Sequence, residues 1–236
     1  YVKIMKNLML TLLWLSISHL ATSQNQWFQT YADSTELIKD ANLISKAFIS
    51  DVKNIKPDFQ FEGKVIKDTN PYMIYISEDS NIHLSLWEEV MPQLKGFMTE
   101  IAGGEEEGKR VFGLFFNGFY LPHELGHAIQ QSVDGEIEQS YKAEYLANTI
   151  GVLWWRKQGN QEELEECYNF IKNMKFKFPN PVPEGESEQN YFTKNYNEAV
   201  QNGYTYGYIQ FKQFVEIYED KTLPDFDTFL KNYFGK

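Results

Sequence analysis

The 236-residue chain is short of several things at once. It has one cysteine, Cys167, so no disulfide can close within it and its stability has to come from packing. It has four histidines, His19, His83, His123 and His127. Positive charge is scarce too, with 22 Lys and Arg against 33 Asp and Glu. A net charge of −11 argues against nucleic acid or an anionic membrane surface as the main partner. No low-complexity tract and no repeat of solenoid period is present. What the chain does have is apolar material, 42% hydrophobic residues and 16% aromatics, enough for a sizeable core.

The first residues read as a leader. Met5-Lys6-Asn7 is a short basic start, and Leu8 to Ile17 is an apolar run too short to span a membrane unaided. Ala21-Thr22-Ser23 then supplies small residues before Gln24. This pattern predicts a secretory signal peptide over 1–23, a secreted or periplasmic protein, and no membrane association after cleavage. Without residues 1–23 the chain keeps three histidines, and 24–236 is expected to form a single domain.

The periodicity predicts an α+β fold, mostly helical, with a small sheet. Ser34 to Asn54 carries apolar residues at helical spacing, with Asp33 or Ser34 as N-cap and Pro57 as the stop. Residues 59–66, 72–76 and 82–87 alternate and are separated by turn formers, which predicts a small antiparallel sheet. A helix is expected over Trp87–Ile101, then a long or kinked one over Glu105–Gln131 in which Pro122 is the kink or a new first turn. Further helices are expected over 140–157, 161–175, 190–201, 204–220 and 224–234, with a proline-rich connection over 176–189.

Chemistry concentrates in Leu121-Pro-His-Glu-Leu-Gly-His-Ala-Ile129. On a helix, His123 and His127 share a face one turn apart and can aim their nitrogens at one metal ion about 2 Å away. Glu124, one position round, can serve as general base toward a water at that metal. No histidine follows His127, so the third ligand has to be a carboxylate. Glu144 is best placed, because Glu144, Ala147, Asn148 and Gly151 share a helix face whose small residues allow close packing; Asp134, Glu136 and Glu138 are the alternatives. Asn148 can accept from the free N–H of a ligating histidine and fix its tautomer.

His123-Glu-Leu-Gly-His127 followed by Glu144-x-x-x-Asn148 resembles the gluzincin class of zinc metallopeptidases, and more narrowly its small compact members. The likeness is specific over about residues 115–151. It implies a zincin-like fold and one Zn2+ per chain on His123, His127 and Glu144, with Glu124 as base and a peptide or protein as substrate. Thermolysin-like gluzincins carry an aspartate where this chain has Asn148 and a later histidine at the oxyanion; both are missing here. Candidate oxyanion donors are therefore Tyr204, Tyr206 and Tyr208, grouped around two glycines with Gln210. His83 reads as an ordinary strand residue, and the strand Ile82 to Trp87 as an edge an extended peptide could join. Two other functions fit the same residues: a zinc hydrolase of non-peptide amides or esters, and an inactive zinc-stabilised binding module. Glu124 speaks against the latter, since a purely structural zinc site needs no base.

Overall fold

A computed structural model describes residues 27–68, 73–77 and 79–235. The expected signal peptide, 1–23, lies outside the described residues. Helix α1 (Ser34–Ile55) starts where the Asp33 carboxylate accepts from the Thr35 and Glu36 amides, and it buries Leu37, Ala41, Ile44, Phe48 and Val52 as one stripe. Three short strands follow, β1 (Val65–Lys67), β2 (Ile74–Ile76) and β3 (Ile82–Leu84).

The sheet is mixed, not antiparallel as the sequence suggests. Its order is β1-β3-β2, with β3 antiparallel to β2 and parallel to β1. Strand β3 takes the centre because Ile82 and Leu84 are both fully buried, whereas β2 is half-buried at every position and suits an edge. Both sides of β3 are paired, so Ile82 does not lie on an open edge as expected; among the described residues the edges belong to β1 and β2.

The helix expected from Trp87 divides into a 3-10 turn (Trp87–Glu89) and α2 (Pro92–Ala102), with Pro92 in the first turn, where a missing N–H costs nothing. Gly103, at φ 81°, closes it. Next come α3 (Glu105–Leu114), a π-helical turn (Phe115–Phe119) and α4 (Tyr120–Asp134). The break falls at Asn117, before Pro122. Proline lacks an N–H for the carbonyl four residues back, and that carbonyl, Gly118, accepts from the Trp27 indole at 2.9 Å. Its neighbours are also taken, Asn117 by the Phe28 amide at 3.0 Å and Phe119 by the Trp155 indole at 3.4 Å. The segment entering α1 thus pins the start of the histidine helix.

Helix α5 (Tyr141–Lys157), capped by Ser140, is buried on most of its circumference and packs along α4. A Cβ on Gly126 of α4 would stand 3.1 Å from the Ala147 Cα of α5, so glycine and alanine set that close approach. Helix α6 (Gln161–Asn173) and the connection after it lead to α7 (Glu188–Lys194) and α8 (Tyr196–Ala199). Helices α9 (Gly203–Glu219) and α10 (Phe226–Phe234) complete the described chain. One apolar core runs from Trp27 to Leu230, and a smaller cluster forms around Phe192, Ala199 and Ile209. Among the described residues no helix is long and apolar enough to cross a membrane.

Candidate metal centre

Helix α4 brings His123, Glu124 and His127 to one region, and α5 sets Glu144 opposite them. Glu144 Oε2 lies 3.4 Å from His123 Nε2 and 3.7 Å from His127 Nε2. Two ligands bound at about 2.0–2.1 Å in tetrahedral geometry stand about 3.3–3.4 Å apart. The spacing is therefore that of groups sharing an ion and is longer than a good direct hydrogen bond. The two imidazole rings are 4.8 Å apart and nearly perpendicular. His123, His127 and Glu144 form a buried group that can hold a metal ion. The other acids proposed from sequence, Asp134, Glu136 and Glu138, are exposed, and Asp134 instead accepts from Tyr233.

Glu144 is held from behind. The Tyr196 phenol donates to Oε1 at 2.7 Å, and Tyr206 and Gln210 donate to Oε2 at 3.1 and 2.7 Å. Burial alone would raise its carboxyl pKa, but the His127 and His123 imidazoles beside it more than offset this and hold it well below the usual range. Burial raises the Glu124 pKa above its ordinary value, partly countered by the two histidines and by the Ile76 backbone amide of β2. At His127, burial works to lower the pKa, and the carboxylates of Glu144 and Glu124 prevail and raise it. The Tyr206 phenol is pushed well above its ordinary pKa by burial and by the Glu144 charge, so it remains a proton donor.

The histidines differ in their other nitrogens. His123 Nδ1 lies 2.9 Å from Asn148 Oδ1, whereas His127 Nδ1 is buried with no hydrogen-bond partner in range among the described residues. Gln130, near His127, gives its amide to the Ala143 carbonyl and also contributes, least of the groups around it, to raising the His127 pKa.

Of the three candidate tyrosines, only Tyr206 reaches the centre. Tyr204 donates to Glu100 and Tyr208 to Glu188. His83 is also elsewhere, between Asp68 and Ser77 and stacked on Tyr75 at 4.1 Å. Tyr196 and Gln213 join the site without having been singled out in the sequence. Gln213 carried a signal: with Gln210 it is a polar residue on the face of α9 that otherwise buries Ile209, Phe211, Phe214 and Ile217. Tyr196 carried none, being one of 15 tyrosines on a short amphipathic stretch.

Compared with protein-family models, characterised proteins and solved structures, the chain matches none of them, so the geometry of the centre is what carries a functional reading.

Proposed function

We propose that this protein is a zinc-dependent hydrolase, and that its bond of choice is the peptide bond. The observation that carries the reading is one buried carboxylate oxygen at metal-sharing distance from two imidazole nitrogens, with Glu124 beside them. Two nitrogens and one carboxylate oxygen are one of the donor sets found in catalytic zinc sites, which leave a fourth position open. His123, His127 and Glu144 would hold the ion. When bound there, zinc supplies a Lewis acid that acidifies water and polarises a carbonyl.

The remaining work falls to the chain. Glu124 takes the proton of the attacking water on a carboxylate oxygen and returns it to the leaving nitrogen. Tyr206, kept protonated by its burial, is the candidate donor to the developing oxyanion, its one O–H turning there from Glu144 Oε2. Support for a peptide comes from β2. The Ser77 amide bonds across to Asn81, so by strand alternation the backbone groups of Ile74 and Ile76 point away from β3, on the side of Glu124. An extended substrate pairing with this edge would use its remaining outward groups, because the Ile76 amide is taken by Glu124.

The depth of the centre favours a second reading. His123, Glu124, His127 and Glu144 are 1–7% exposed, which suits a small amide or ester. A quenched-peptide library and a panel of small amides and esters, each run with the wild type and with Glu124→Gln, separate the two. Peptide hydrolysis that falls by about 10²–10⁴ in the variant while zinc is retained supports the first reading. Turnover confined to small substrates moves the protein to the second. Full activity in zinc-bound Glu124→Gln removes the mechanism.

A further inference from the structure

Three buried carboxamides stand behind the ligands, and their hydrogen bonds all run in one direction. Gln213 gives an Nε2 proton to the Tyr141 carbonyl at 3.1 Å, and Gln210 gives one to Glu144 Oε2 at 2.7 Å. A backbone carbonyl has no proton to offer, and an ionised carboxylate only accepts. Each glutamine is thereby fixed with its oxygen facing inward. Both oxygens receive Asn148 Nδ2, at 2.8 Å for Gln210 and 2.9 Å for Gln213. That uses both protons of the Asn148 amide. Asn148 is left with only its oxygen for His123, 2.9 Å from Nδ1. An acceptor there requires the proton on Nδ1, which leaves the Nε2 lone pair directed at Glu144 Oε2. Asn148, Gln210 and Gln213 are at most 1% exposed, so water does not compete for these bonds.

We propose that Gln210 and Gln213 act through Asn148 as a tautomer lock on His123, and that Gln210 at the same time anchors Glu144, so that α9 presets two of the three metal ligands. The proposal rests on the metal reading of the site. Two acceptors that cannot reverse, one on the backbone and one a ligand, impose the same polarity on Asn148. An imidazole that exchanged tautomers would present Nε2 for only part of the time and would bind metal more weakly in proportion. Gln210 and Gln213 are positioning residues: each acts on the ion through another side chain.

Long-range ¹H–¹⁵N correlation NMR of the purified protein, stripped of metal by a chelator and held at mildly alkaline pH, reads the protonated nitrogen of each imidazole. His123 is expected as the Nδ1–H tautomer alone. Competition against a chromophoric chelator then reads zinc affinity in two variants. Gln210→Met loses the contacts to both Asn148 and Glu144 and is expected to bind zinc about 10–100-fold more weakly. Gln213→Met loses only the Asn148 and Tyr141 contacts and should fall less. In the double variant Asn148 is free to turn over, and the Nε2–H tautomer of His123 should appear. His123 found as Nε2–H, or as an exchanging mixture, in the wild type would overturn the lock, and this measurement does not depend on any variant folding. Unchanged zinc affinity in Gln210→Met would overturn the anchoring of Glu144. A locked His123 in a protein that takes up no zinc would leave the lock standing and remove the metal reading instead.

Discussion

His123 faces α9 and is bonded through Asn148 to two glutamines, whereas His127, one turn further along the same helix, has no hydrogen-bond partner in range of Nδ1 among the described residues. The contrast extends to their surroundings. On the His123 side, Glu144 takes three donors, from Tyr196, Tyr206 and Gln210, and every amide is committed. On the Glu124 side the neighbouring element is β2, which among the described residues is an edge strand, with its Ile76 amide turned to Glu124. One half of the centre, around a group that could hold a metal ion, is fully hydrogen-bonded. The other half is less bonded, and under the proposed function it is the side that a substrate would approach.

Substitutions can break or sharpen this contrast. The largest effect is expected from Asn148→Leu, which leaves His123 Nδ1 and two glutamine oxygens buried without partners. Each orphaned group costs about 1–3 kcal/mol, so chemical denaturation should show a loss of about 3 kcal/mol or more, with zinc affinity down about 10–100-fold. Gly126→Leu comes next. Its side chain has to enter the contact with Ala147 and Ile150, so it forces α4 from α5, should cost about 1–3 kcal/mol in the same assay, and should weaken zinc binding by moving Glu144 from the histidines. Tyr196→Phe and Tyr206→Phe each remove one of three donors to Glu144, and zinc affinity should fall by about tenfold at most in chelator competition. Gln130→Met should change zinc affinity least, because the Gln130 amide is committed to the Ala143 carbonyl and its effect on His127 is the smallest of those acting there. A clear loss there would mean that His127 is held as His123 is, and the contrast would disappear.

The parts of the site legible in the sequence are those carried by one helix or by two packed helices. The i, i+4 histidines are a property of a single turn. Glu144 and Asn148 could be placed because Ala147 and Gly151 on the same face announce a close helix contact, and Gly126 meets Ala147 there. Helix α1 was legible from its apolar stripe and its Asp33 cap. The sheet was harder. Three-residue strands signal that they exist but not which neighbour they take, and β1 passes over β2 to pair with β3. Of the two readings of Pro122, a kink or the first turn of a separate helix, the second holds, since Pro122 lies in the first turn of α4; the backbone itself breaks at Asn117, where the freed carbonyls find donors in Trp27, Phe28 and Trp155. The tyrosines depended on tertiary structure altogether. Tyr206 and Tyr196 meet Glu144 across 62 and 52 residues, and no local pattern distinguishes Tyr206 from Tyr204 and Tyr208 beside it.

The central claim is that His123, His127 and Glu144 hold one divalent ion, and elemental mass spectrometry of the purified protein beside Glu144→Ala tests it most directly. About one zinc per chain in the wild type and almost none in the variant is the expected result. No zinc in the wild type, even after reconstitution with the metal, or full zinc in Glu144→Ala, would contradict it.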